Sequence, residues 1–378
     1  PLAMLQVTTP WLVAVVLEEP PERVGFAQMM LSLPMLFLIM AGGLAADSFN
    51  RRKLLMLLHF LSCLPAWLMV WLAMQGTLSY GLFVLSILSI SICGAFIRPA
   101  GDAMLSEIAG DQVQKIVTMA TGTQFGLQII GFGLAGNAEN MALSTLMGIL
   151  AVVLMSGTFM AFQLKPVHIE HPLASAPVRS GGFWSGLQYV WEDDYLRPII
   201  LMNLAIGVFY SGVYAVVFPL MIIQVYEGSA QAISISYILM MLGTISAVLI
   251  LLWSGGIHQR QGRAFMLSAS SGIIVLVLMS QAPNFYLYMF FVYLWGCGAG
   301  VSMSVSRTMV QENAPEKYRA RILSIYSLGF MGGAPIGALF MGYSVAFLGP
   351  TNSMLFAAGG MLIITMFLYT RTGMWASA

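Results

Sequence analysis

Apolar blocks long enough to cross a bilayer follow one another along the whole chain, broken only by short clusters of charge. A spanning helix needs about 20 such residues. Blocks of roughly that size lie near 2–17, 24–46, 54–75, 78–98, 115–136, 141–163, 196–218, 231–254, 264–281, 285–306, 321–344 and 353–370. They are continuous and do not alternate, which argues against a β-barrel. Only 8% of residues are charged, against about 25% in a soluble domain, so the chain lacks the polar surface of a water-soluble globule. The expected fold class is all-α: a polytopic membrane protein of twelve transmembrane helices in two six-helix bundles.

The chain opens at Pro1 already inside the first block, so the first helix is expected to lack its start. A polar stretch with Pro166, Pro172, Pro177 and the Gly181–Gly182 pair separates the sixth block from the seventh, and it ends in an amphipathic piece, Phe183 to Trp191. It reads as a linker with one helix lying at the membrane surface. The expected organisation is an N-terminal bundle at 1–164, a cytoplasmic linker at 165–195 and a C-terminal bundle at 196–378. With twelve alternating spans and a cytoplasmic N-terminus, Arg23 falls outside and the other Lys and Arg residues fall in or beside cytoplasmic segments. That is a positive-inside pattern with both termini cytoplasmic. The net charge of +1 gives no reason to expect nucleic acid as a partner.

The two halves echo each other. Glu107-Ile-Ala-Gly-Asp111, before the fifth block, matches Glu312-Asn-Ala-Pro-Glu316, before the eleventh. The turn Asp47-Ser-Phe-Asn-Arg-Arg52, after the second block, has a weaker echo in Gln259-Arg-Gln-Gly-Arg263, after the eighth. Such repeats mark transporters built from two related bundles.

The run Gly42-Gly43-Leu44-Ala45-Ala46-Asp47-Ser48-Phe49-Asn50-Arg51-Arg52-Lys53 resembles the G-x-x-x-D-R-x-G-R-R signature of the major facilitator superfamily. Ser48 stands where the family often has a basic residue, and Asn50 where it has Gly, a replacement tolerable in a left-handed turn. Val310-Gln311-Glu312-Asn313-Ala314-Pro315-Glu316-Lys317-Tyr318-Arg319-Ala320-Arg321, with Gly329, Pro335, Gly337 and Gly342, is similar to a bacterial exporter branch of that superfamily, which includes siderophore exporters of the enterobactin type and macrolide or multidrug pumps. Gly122, Gly126, Gly131, Gly133 and Gly136 resemble the glycine-rich antiporter motif, with Phe132 where its Pro is expected. Ordinary helix packing explains these glycines equally well.

The resemblance implies a transporter in the bacterial inner membrane, expected as a monomer, with a small-molecule substrate exchanged for protons and no cofactor. Asp47, Arg51 and Arg52 would form a cytoplasmic latch, with Asp47 accepting from a helix N-terminus and Arg51 pairing an acid such as Asp102 or Glu107. Arg260, Arg263, Glu312 and Arg321 would form its degenerate counterpart in the second half. Positive-inside topology alone is the competing reading of these charges.

Polar side chains inside spans are costly and therefore candidate sites. Gln28, the pair Gln124 and Gln128, the face Asn203, Tyr210 and Tyr214, and the face Tyr293 and Ser304 would line a nearly uncharged cavity, although each also suits an interhelical hydrogen bond. No Asp or Glu falls near the middle of a block, so the carboxylate that proton coupling usually employs is not evident. There is no Walker loop, and His59, His168, His171 and His258 form no metal-ligand cluster; the chain does not read as an enzyme. Cys63, Cys93 and Cys297 sit inside apolar blocks and read as packing residues. The expected function is export of a small amphipathic or hydrophobic molecule. Import or lysophospholipid flipping on the same fold remains open, as does a non-transporting assembly scaffold.

Overall fold

The computed structural model describes residues 1–109, 112–164, 183–257, 260–316 and 318–371. Among these residues the chain is helical with connecting turns and no strands. The helices are α1 (Leu2–Val16), α2 (Pro21–Ser48), α3 (Arg51–Gln75), α4 (Tyr80–Ala109), α5 (Val113–Gly136), α6 (Leu143–Gln163), α7 (Phe183–Glu192), α8 (Leu196–Gln224), α9 (Ala230–Trp253), α10 (Gln261–Ser280), α11 (Phe285–Asn313), α12 (319–348) and α13 (350–371). All but α7 coincide with the twelve apolar blocks, so the expected twelve-helix architecture is the one observed. Large apolar side chains such as Phe37, Leu127, Ile250 and Ile363 are more than half exposed, the pattern of helices solvated by lipid. The protein is an integral membrane protein.

The helix ends follow from local chemistry. The Asn50 carboxamide oxygen accepts from the Lys53 backbone N–H at 3.1 Å and caps α3. Asn284 caps α11 in the same way through Leu287, and Asp193 Oδ1 accepts from Tyr195 and Leu196 N–H at the start of α8. Each satisfies donors that an open helix end leaves orphaned. Asn50 has φ −60° and ψ 111°, so the left-handed turn expected for it does not form; Asn serves here as a cap. Gly349, at φ 77°, divides α12 from α13, and Pro350 then opens α13 with a residue that has no N–H to satisfy. Three helices outrun their apolar blocks: α4 continues to Ala109 with Pro99 inside it, α8 to Gln224 and α11 to Asn313. Arg98, at the end of the α4 block, and Arg307, at the start of the α11 extension, are exposed.

The described residues form two compact units, one within 1–167 together with 222–235, the other within 168–221 together with 236–378. In the first unit α2 packs on α4, α3 on α4 and α6, and α1 on α5. Gly42 makes the α2–α4 approach possible: a Cβ there would lie 2.6 Å from the Ala95 carbonyl oxygen. In the second unit the α8–α12 crossing runs through glycine on both sides. A Cβ on Gly207 would meet the Phe330 carbonyl oxygen at 2.6 Å, one on Gly212 the Gly337 oxygen at 2.5 Å, and one on Gly337 would clash with Val208. Gly243, Gly296 and Gly300 do the same for α9 against α11, where Thr244 also donates to the Gly296 carbonyl. Small residues of this kind let membrane helices gain van der Waals contact where no hydrophobic effect drives them together.

The first helix of each half carries π-helical turns: Leu12–Val16 in α1, and Ile206–Tyr210 and Val213–Val217 in α8. Such turns locally widen a helix and occur often at functional sites.

Candidate functional site

The α2–α3 turn brings two of its expected residues together. Arg51 Nη2 lies 3.6 Å from Asp47 Oδ1, and Arg51 Nε donates to the Ala46 carbonyl at 3.1 Å. Arg51 thus holds the last turn of α2, whose carbonyls are free, from the first residue of α3. Below the turn Ala46, Leu55, Ala100, Met104 and Ala161 pack together. Asp47 is 75% exposed, so the ion pair itself adds little to stability. Asp102 is exposed on α4, and the Glu107 side chain lies outside the described residues.

Arg52 points elsewhere. Its Nη2 donates to the Phe162 carbonyl, and its guanidinium stands 5.4 Å over the Phe162 ring. It therefore ties the start of α3 to the end of α6, where a cation suits the helix dipole.

The counterpart cluster in the second half is built differently. Glu312 Oε2 accepts from the buried Gln261 carboxamide at 2.9 Å. Burial first, then the neighbouring Glu312 carboxylate, pushes the Tyr195 phenol above its usual range. Arg260 is exposed in a left-handed conformation, φ 57°, just before α10, and Arg263 is half-buried. Gln259, the expected equivalent of Asp47, lies outside the described residues. Arg321 is engaged by α7: its Nη1 donates to Ser185 Oγ at 3.1 Å. Tyr189 of α7 stacks on Tyr318 at 5.4 Å, and Gly186 leaves room for the Arg321 side chain. The amphipathic helix is thus docked on the start of α12.

The polar in-span residues fall into two groups. Gln28 and Asn203 are buried and committed to helix packing, Gln28 through the Gln6 carbonyl at 3.4 Å and Asn203 through the Tyr326 carbonyl at 2.7 Å. Tyr210 and Tyr214 are half-buried in the π turns of α8; the Tyr210 hydroxyl donates to the Ala269 carbonyl, and Tyr214 packs edge-on against Tyr237. Gln124 is exposed, and Gln128, Tyr293 and Ser304 are half-exposed. Of the helix-five glycines, Gly131 faces Ala3 and Gly136 faces Ser234, whereas Gly122, Gly126 and Gly133 have nothing within 4 Å. The array is thus part packing device and part open face.

Three residues that sequence reasoning passed over carry interhelical bonds. The Tyr326 hydroxyl shares a hydrogen bond with Ser306 Oγ at 2.7 Å, joining α12 to α11. Glu139, on a short turn after α5, accepts from Trp11 Nε1 and from the Ala230 backbone N–H.

These features together describe a polytopic helical membrane protein. The family model described as Major Facilitator Superfamily matches residues 2–319 and 265–374, and the chain belongs to that superfamily. The multidrug efflux pump Tap of Mycolicibacterium fortuitum is 24% identical over 331 residues, covering 82% of this chain and 78% of its own. Among solved structures, a point variant of the nucleoside transporter NupG superposes with a TM-score of 0.76 at 15% identity, covering 98% of this chain and 97% of that one. The D-xylose–proton symporter superposes with a TM-score of 0.74 at 12% identity, covering 98% and 95%.

Proposed function

We propose that this transporter exports a small amphipathic or hydrophobic organic molecule from the cytoplasm in exchange for protons. The observation that carries the direction is its relation to a multidrug efflux pump along most of both chains. The in-span polar groups agree with such a substrate: Gln124, Gln128, Tyr210, Tyr214, Tyr293 and Ser304 offer aromatic and amide surface without charge. In this reading the bundles at 1–164 and 196–378 rock in alternating access, both termini are cytoplasmic, and the membrane is the bacterial inner membrane. The Asp47–Arg51 turn is the moving cytoplasmic latch, with Glu312 and its neighbours as the second-half counterpart.

The test is ethidium efflux from energised cells expressing the protein, with Asp47→Asn and a protonophore as the two controls. Efflux that both controls abolish supports the reading. Substrate accumulation in place of efflux would assign the opposite direction.

A further inference from the structure

One acidic residue outside every motif ties together, within the first unit, α1, the end of α5 and the first turn of α9. Glu139 sits on a single 3-10 turn, Ala138–Asn140, just after α5. Its Oε1 accepts from the Trp11 indole N–H at 3.1 Å and from the Ala230 backbone N–H at 2.9 Å. Both donors need an acceptor. Trp11 is 5% exposed, and a buried indole N–H left unpaired is costly. Ala230 is the first residue of α9, so its N–H is one of the orphan donors at that helix end, where the dipole favours a negative charge.

The contact continues inward. Ser234 of α9, 2% exposed, donates to the Phe132 carbonyl of α5 at 2.7 Å. A Cβ on Gly136 would lie 2.8 Å from the Ser234 side chain, so the absence of a side chain at Gly136 is what lets Ser234 seat directly on the α5 backbone. Trp11 is also the residue from which the π turn Leu12–Val16 of α1 starts. A single carboxylate oxygen therefore joins the π turn of α1, the end of α5 and the first turn of α9.

We propose that Glu139 is a clasp: its carboxylate holds this seam shut, and the transport cycle proceeds through its release. It is a positioning residue, acting through the helices it grips. The seam lies at the ends of α5 and α9 opposite the basic clusters, which the positive-inside pattern places on the outer face. The release step rests on the alternating-access reading above; the closure does not, and the experiment reads closure without any substrate.

The reporter is Ser234→Cys, placed in the full chain after Cys63, Cys93 and Cys297 are replaced by alanine. The protein is purified into nanodiscs and its reaction with a maleimide is followed. With Glu139 present the reporter is expected to react slowly. Glu139→Ala is expected to speed labelling on the order of tenfold, since it strands a buried donor and removes the charge. Glu139→Gln keeps an acceptor oxygen but loses charge assistance, and its rate is expected to fall between the two. Trp11→Phe, which deletes one donor and keeps an aromatic ring, is expected to speed labelling less than Glu139→Ala. A second reporter, Ser62→Cys, buried in α3, is expected to stay protected in every variant. The proposal is overturned if Ser234→Cys labels at the same rate in all backgrounds, or if both reporters are exposed in parallel, which would mean general loosening. Should Glu139→Ala fail to fold, Glu139→Gln and Trp11→Phe carry the same comparison.

Discussion

Asp47 and Arg51 face each other at 3.6 Å across the break between the second and third helices, one residue in α2's last turn and the other opening α3. The pair spans a joint, so its geometry changes whenever the two helix ends move relative to each other. Its exposure keeps its contribution to stability small, about 1 kcal/mol or less. Asp47→Asn is therefore expected to leave folding intact while cutting efflux. The measurement is dye efflux normalised to the folded protein, judged by size-exclusion chromatography. Normal efflux by the folded variant would remove Asp47 from the mechanism.

Asn50 occupies the position where the superfamily signature carries Gly, and it works as an N-cap. Losing a cap of this type costs about 1 kcal/mol when Ala replaces it and only a few tenths when Gly does. Asn50→Ala is expected to lower the melting temperature more than Asn50→Gly, with Asn50→Asp close to the parent. Thermal unfolding in detergent checks the order.

Arg52 is a structural fastener in this geometry. Its guanidinium both donates to the Phe162 carbonyl and covers the Phe162 ring, a combination that a lysine ammonium does not reproduce. Arg52→Lys is expected to destabilise the protein although it preserves the positive charge. If charge alone mattered for Arg52, as in a purely topological role, Arg52→Lys would match the parent in both melting temperature and expression.

The glycines of α5 separate into two kinds. Gly136→Ala would place a Cβ 2.8 Å from Ser234, whereas Gly126→Ala meets nothing within 4 Å. The first is expected to lower thermal stability and the second to leave it equal or higher, since Ala is the better helix former. Gly337→Ala, at the α8–α12 crossing, is expected to be more damaging still, because its Cβ would run into backbone. Melting temperatures of the three variants provide the comparison.

The number and placement of the spans were legible because a lipid-crossing helix must be apolar over its whole length, and nothing else in the chain competes with that signal. The amphipathic α7 was legible for a related reason, although its partner was not: Arg321, read as a gate residue, is the side chain that α7 docks on. Partners chosen by tertiary packing leave no local trace. Arg52 and Phe162 are 110 residues apart, and Gln28 and Asn203 both bond to backbone carbonyls, which every residue has. Glu139 was invisible for the opposite reason, since a single acid in a loop resembles any solvated charge until Trp11 and Ala230 are seen beside it. π turns interrupt both α1 and α8, and no sequence signal marked them in advance.

Proton-driven export can be observed in a reconstituted system free of other transporters. Purified protein in liposomes would be given an imposed pH gradient, with dye movement followed together with lumenal pH. Dye and protons are expected to cross in opposite directions, and Asp47→Asn is expected to slow both. Dye and protons moving in the same direction, or dye equilibrating without regard to the gradient, would contradict proton-driven export.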